Sequence, residues 1–298
     1  MALIALQIGP EGFAACQVAE EVEEADIRRI PIPPEDPWQA CVELVREVAA
    51  GAEPTALGIA CSGPIDLVAG VVAPPEIPQW RTGFDLMKAV SAAFPGAPAQ
   101  LALDGVCLAL AERALGATTN AGDSVALWAG DRIVGGVMVG SFAVVGRTGN
   151  AGNIGHLLVP GFDEPCACGG HGCLEAVAGG RSLRRWARAR GWRGESTADL
   201  VLAAEHGDTA AVAALERAGT ALGRAAASVA AVLDIDRVVV AGPLAAAGRP
   251  LWKPLNAAVA EHARLGFLTG LRCVPSQLGE IGMLIGASVL ALTAEPEQ

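Results

Sequence analysis

The chain has 298 residues, 52% of them hydrophobic, with 21 basic and 32 acidic side chains and a net charge of −11. That length supports one large domain or two medium ones with real cores, and the acidic balance argues against non-specific binding of a nucleic-acid backbone. No apolar run reaches the roughly 18 residues of a membrane span, and no basic segment precedes the first apolar run, so the sequence reads as cytoplasmic, with no membrane or nucleic-acid partner.

Residues 2–8 (ALIALQI) are continuously apolar. Gly9, Pro10, Glu11 and Gly12 then turn the chain into a second run, FAACQV, at 13–18, which predicts a hairpin. Helical spacing follows at 38–49, a buried strand at 56–61 (ALGIAC), a helix at 85–93, a strand at 100–103 and a helix at 105–115. Strands alternating with helices imply an α/β sheet. A second such series opens with SVALWAG (124–130) and its hairpin partner GGVMVG (135–140). After a glycine- and cysteine-rich loop come helices at 181–190, 198–205 and 209–233, a buried strand at 237–242 and a final apolar helix at 279–293. Each half opens with strand, glycine turn and strand, so the halves are expected to share a fold.

Eight cysteines in a chain of this size do not read as a secreted disulfide framework. Cys16, Cys41, Cys61, Cys107 and Cys273 lie among apolar neighbours and read as buried free thiols. Cys166, Cys168 and Cys173 crowd into eight positions of CACGGHGCLE, whose Gly169, Gly170 and Gly172 let the backbone bend sharply. Three thiolates at this spacing predict a zinc site that needs a fourth ligand. His171, inside the loop, and His156, ten positions before Cys166, are both candidates.

GNAGNIGHLLVP followed by CACGGHGCLEA resembles the signature of the ROK family (repressors, open reading frames and kinases). The family form is a glycine-rich turn, G-H, and then C-x-C-G-x-x-G-C-x-E. GIACSGPID (58–66), PEIPQW (75–80), LALDGVCLALAE (101–112) and AGPLAAAGRPLWKPL (241–255) resemble further family elements in the same order. The resemblance implies an actin-like, sugar-kinase (ribonuclease H-like) fold with two α/β domains around a substrate cleft. The expected domains are 1–116, with 279–298 packing back onto it, and 117–278, carrying the zinc loop 156–175. It assigns His156, Cys166, Cys168 and Cys173 as the zinc ligands and demotes His171. It also implies a homodimer or homotetramer.

A sugar kinase needs a base beside the attacking hydroxyl. The resemblance makes this Asp104, which also ends an apolar strand immediately before a helix; as a structural residue it would simply cap that helix. The implied sugar-binding set is Glu76, Asp104, Asn153, His156 and Glu175. Two positions depart from the family: Asn153 replaces a glutamate, and Glu76 replaces an asparagine. The exchange keeps one carboxylate and one amide and predicts a changed hydroxyl preference.

The implied ATP-binding positions are Gly9, Gly130, Arg132, Gly135 and Gly242, set in degenerate loops. Where the family has D-I-G-G-T-K, this chain has QIGPEG. Gln7 replaces the aspartate that organises Mg²⁺, Pro10 offers no amide hydrogen, and Glu11 puts a negative charge where a phosphate belongs. Two like charges 4 Å apart repel by about 4 kcal/mol at an effective dielectric of about 20. The second loop is GDRIVGG in place of G-T-G-I-G-G-G, and the third is AGP in place of G-G-G. The sequence therefore predicts a sugar- or polyol-binding ROK protein with a structural zinc and with ATP and Mg²⁺ use weak or lost. The alternatives are an active divergent sugar kinase with Arg132 gripping phosphate, and a regulator without its own DNA-binding domain.

Overall fold

The computed structural model describes residues 2–19 and 22–294. The chain forms two compact units. The first comprises Met1–Ala114, Val144–Ala151 and Ile281–Gln298, and the second Leu115–Ala143 and Gly152–Glu280.

In the first unit, β1 (Ala2–Ile8) and β2 (Phe13–Gln17) form the expected antiparallel hairpin, which β3 (Arg28–Ile30) extends. Gly12 closes the turn so near β3 that a Cβ there would sit 2.3 Å from the Ile30 carbonyl oxygen. Helix α1 (Pro37–Val48) starts where its sequence dictates: the Asp36 carboxylate accepts from the Gln39 amide, and Pro37 occupies the first turn. Its Cys41, Val42, Leu44 and Val45 are buried. Strand β4 (Pro54–Cys61) then runs parallel to β1. Short strands β5 (Ile65–Asp66), β6 (Val71–Val72) and β7 (Phe84–Asp85) make a separate three-stranded sheet that the sequence pattern did not suggest. Helix α2 (Leu86–Ala93), β8 (Ala99–Leu103) and α3 (Asp104–Leu115) follow. The main sheet has the order β3-β2-β1-β4-β8, with Cys61 paired both to Ile8 and to Leu103. The C-terminal helix, Gly282–Ala294, lies across β1, β4 and β8 and is apolar on all sides because it is buried. A Cβ at Gly58 would fall 1.8 Å from the Ala287 carbonyl oxygen, so only glycine lets the helix come this close.

The second unit repeats the plan. Strands β9 (Ser124–Ala129), β10 (Ile133–Val139) and β11 (Phe142–Ala143) are antiparallel, and β12 (Arg237–Ala241) and β13 (Arg272–Pro275) extend them in parallel, in the order β11-β10-β9-β12-β13. Helices α4 (Leu174–Ala178), α5 (Gly180–Arg188), α6 (Thr197–Glu205), α7 (Thr209–Leu233) and α8 (Arg249–His262) complete it. Helix α8 hid in the sequence because Pro250 and Pro254 interrupt its pattern. It packs on α7 at Gly219 and Gly223, where a Cβ would lie 2.2 and 2.3 Å from the Leu251 and Leu255 carbonyl oxygens.

One segment falls differently from the sequence-based division at 116/117. Val144–Ala151 belongs to the first unit. The Asn150 side chain accepts from the Ile65 amide at 2.9 Å and donates to the Ile65 carbonyl at 2.6 Å, forming both bonds of a strand rung. Among the described residues no helix is long and apolar enough to cross a membrane.

Candidate functional site

The cysteine loop folds into a knuckle. Leu158 bridges Cys173 and Pro165 bridges His171, while the Cys166 amide donates to the Gly170 carbonyl at 2.8 Å and the Gly169 amide to the Cys166 carbonyl at 3.0 Å. Gly172 has a φ of +71°, and a Cβ there would meet the Phe162 carbonyl oxygen at 2.7 Å. This packing gathers one ligand atom each from His156, Cys166, Cys168 and Cys173, all within 4.8 Å of one another. A tetrahedron on Zn–S bonds of about 2.3 Å has edges of about 3.8 Å. The Cys168–Cys173 sulfur separation is 3.7 Å, and Cys166 Sγ lies 3.6 Å from His156 Nδ1. The four residues thus fit a tetrahedral metal ion such as zinc, with His156 binding through Nδ1. His171 turns away, its Nδ1 lying 3.3 Å from the Asp163 carbonyl oxygen. The Gly170 amide, and then the Cys166 side chain, pull the Cys168 thiol below its ordinary range, whereas burial pushes Cys173 up to about 12.

Helix α4 begins directly after Cys173 and carries Glu175, whose Oε2 accepts from the Ile133 amide at 3.0 Å. The knuckle is thereby tied to the start of β10, just beyond the second glycine turn. Gly155 is needed here, since a Cβ would lie 2.2 Å from the Ile133 carbonyl oxygen. Asn153 is exposed at the entry to the turn Ile154–His156. In the first unit Asp104 follows β8 directly and opens α3; it is buried, and its Oδ1 accepts from the Gly105 amide at 2.7 Å. Glu76 is half-buried in a turn fixed by Trp80, which stacks on Phe84 at 4.4 Å and on Phe13 at 6.2 Å. The structure therefore gathers the metal ligands, and it places Asn153, His156 and Glu175 in the second unit and Glu76 and Asp104 in the first.

The two glycine turns are each held by contacts of their own. The Gln7 side-chain amide faces the Met283 thioether, 3.6 Å away on the C-terminal helix. Gly9 donates its amide to the Gly12 carbonyl at 2.9 Å, leaving Pro10 and the exposed Glu11 at the tip. In the second turn, between Gly130 and Gly135, Asp131 accepts from Arg184 through both guanidinium nitrogens and from the Thr197 hydroxyl at 2.6 Å. Against the cost of its partial burial, the bonds from Arg184 and Thr197 and the charges of Arg184 and Arg181 hold the Asp131 carboxyl below the usual range. The Gly180 amide closes the brace on the Gly130 carbonyl at 2.7 Å. Arg132 is half-buried, and Val134 is buried. Gly242 has a φ of +88°, with Pro243 after it and no side chain between it and Ala129. The first turn thus carries an amide side chain at Gln7, a proline at 10 and a carboxylate at Glu11, and the second carries a braced carboxylate at Asp131.

Sequence reasoning missed Asn150 and the Asp131–Arg184–Thr197 cluster. Asn150 carried a weak signal, an amide in the same glycine-rich stretch as Asn153. The cluster carried none, because its members lie 53 and 66 positions apart.

A profile described as ROK family matches residues 3–294. A glucokinase from Thermotoga maritima is 31% identical over 272 residues, covering 85% of this chain and 84% of that protein. A kanosamine kinase from Amycolatopsis mediterranei is 32% identical over 237 residues, covering 79% and 76%. The crystal structure of a ROK family glucokinase from Streptomyces griseus, in complex with glucose and AMPPNP, superposes with a TM-score of 0.82 at 26% identity, covering 98% of this chain and 100% of that one. The fold is the actin-like fold of the sugar kinases.

Proposed function

The chain belongs to the ROK family, and from that premise we propose that it binds a carbohydrate or related polyol and has lost most or all ATP-dependent phosphoryl transfer. The glucokinase and kanosamine kinase names of its relatives support a sugar as ligand. Asp104 is the group that accepts the hydrogen of a sugar hydroxyl, with Glu76, Asn153 and Glu175 supplying further contacts. His156 serves the metal. Zinc in this site is structural, since four protein ligands leave no open position for water. It fixes the loop that carries Glu175 and Asn153.

The observation that carries the loss of transfer is the first turn. Gln7 points at a thioether, Pro10 has no amide hydrogen, and Glu11 repels phosphate. Phosphoryl transfer rests on positioning and charge neutralisation, and these substitutions remove both. Retention of a buried Asp104 beside 31% identity to a glucokinase favours a second reading, an active divergent sugar kinase. Two measurements separate them. Calorimetry with a panel of hexoses, amino sugars and cyclitols should show binding that Asp104→Asn removes. Calorimetry with Mg-ATP, and a coupled assay with the same sugars, should show neither heat nor turnover. Micromolar, Mg²⁺-dependent ATP binding, or hexose turnover at ordinary kinase rates that Asp104→Asn abolishes, would favour the active kinase. A sugar panel without heat would overturn both readings.

A further inference from the structure

The metal knuckle hangs on a strap, residues 159–164, and both ends of the strap close on Gly172. The Val159 amide donates to the Gly172 carbonyl at 2.9 Å, and the Gly172 amide donates to the Glu164 carbonyl at 2.9 Å. Gly172 precedes Cys173, and Glu164 lies two positions before Cys166. Whatever fixes Glu164 therefore also fixes the approach of both thiols. Helix α7 grips the strap with two arginines, Arg217 and Arg224, which share one face at i and i+7. Arg224 Nη1 donates to the Pro160 carbonyl at 2.6 Å. Arg217 Nη2 donates to the Glu164 carboxylate. The Arg217 guanidinium lies 4.7 Å from the centre of the Phe162 ring, at the middle of the strap, and 5.6 Å from that of Trp186 on α5.

Arg217 is the stronger of the two holds. Its side chain is 16% exposed and that of Glu164 is 35% exposed. Arg217 Nε and Glu164 Oε2 are buried and have no hydrogen-bond partner among the described residues. Removing Glu164 thus strands the guanidinium largely out of water, and removing Arg217 frees the carboxylate to turn outward and carry the strap with it. The two ring faces favour a cation and suit a flat one, a fit that lysine does not reproduce. A loose loop pays ordering entropy each time it closes on an ion, and a loop already held pays less. We propose that Arg217 is a positioning residue for the metal: by holding Glu164 it pre-arranges Cys166 and Cys173, and so raises the affinity of the knuckle for a tetrahedral divalent ion without touching the ion. The inference rests on reading His156, Cys166, Cys168 and Cys173 as a metal site. It does not depend on the sugar-binding reading.

The test uses the full chain, freed of metal by chelation and titrated with Co²⁺, whose visible and thiolate absorption bands report tetrahedral binding; Zn²⁺ is then added in competition. Wild type should take up one Co²⁺ per chain. Arg217→Ala should weaken binding at least tenfold, Glu164→Ala about as much, and the double variant little more than either, because the two side chains act as one unit. Arg217→Lys should recover part of the loss, since it returns the charge without the planar fork. Arg264→Ala, at an exposed position elsewhere, should bind as wild type does. Urea unfolding separates positioning from ordinary packing: the Arg217 and Glu164 variants should lose more stability with metal bound than without it. If Arg217→Ala does not fold, Arg217→Lys and Glu164→Gln take its place, and each should weaken Co²⁺ binding at least about threefold. Wild-type Co²⁺ affinity in these variants, additive effects of Arg217→Ala and Glu164→Ala, or equal stability losses in the two metal states would each overturn the proposal and leave the metal site standing. A wild type that takes up no metal would overturn both.

Discussion

Replacing Asp131 by alanine tests the brace on the second glycine turn. The carboxylate accepts from both terminal nitrogens of Arg184 and from the Thr197 hydroxyl, and the side chains of Asp131 and Arg184 are 25% and 17% exposed. Breaking a fully buried pair costs about 3–5 kcal/mol, and breaking an exposed one costs about 1 kcal/mol or less. This pair is nearer the buried limit but retains solvent, so Asp131→Ala should cost about 2–3 kcal/mol. The assay is urea unfolding at pH 7 of the wild type, Asp131→Ala, Arg184→Ala and the double variant. The coupling between the two sites should be about 2 kcal/mol, with an unchanged dependence on urea concentration. The pH dependence has a fixed sign. Asp131 titrates lower in the fold than in the unfolded chain, so its contribution is complete above the ordinary carboxylate value, about 3.9, and is lost as pH falls through its folded value. Wild type and Asp131→Asn should therefore converge in stability only in that acidic window. Additive single effects, or a stability difference that persists unchanged to pH 2, would refute the brace.

Chelation should strip one metal ion per chain and lower the melting temperature, and Cys168→Ser should do the same; metal analysis and calorimetry check both, and a metal-free protein with wild-type melting would remove zinc from the account. Glu175→Ala leaves the Ile133 amide without its carboxylate and should cost about 1.5–3 kcal/mol in urea unfolding, with Glu175→Gln retaining roughly half, because a charged acceptor makes the stronger bond. Gly172→Ala forces a side chain into a φ of +71° against the Phe162 carbonyl and should weaken metal retention at least tenfold in competition with a chromophoric chelator.

The parts legible in the sequence were those with local signatures. Both opening hairpins, the long helix α7 and the strands β4, β8 and β12 followed from apolar runs and the turn residues that bound them. The metal ligands were legible as a set only through the resemblance to the ROK signature; spacing alone left His171 level with His156, and the 3.6 Å approach of His156 to Cys166 separates them. Helix α8 and strand β13 were not legible, the first through its prolines, the second because its four residues, of which none is fully buried, make no period. The Asp131 brace is a tertiary contact with no local trace.

The main sheet of the first unit has a consequence for biosynthesis. One face of β1, β4 and β8 is covered by Gly282–Ala294, a stretch that leaves the ribosome some two hundred and eighty residues after β1 begins. Throughout translation that face stays uncovered, and the nascent chain must wait for its last helix before its first half can become native. A truncation near residue 280 would therefore spoil the N-terminal half of the protein, far from the cut.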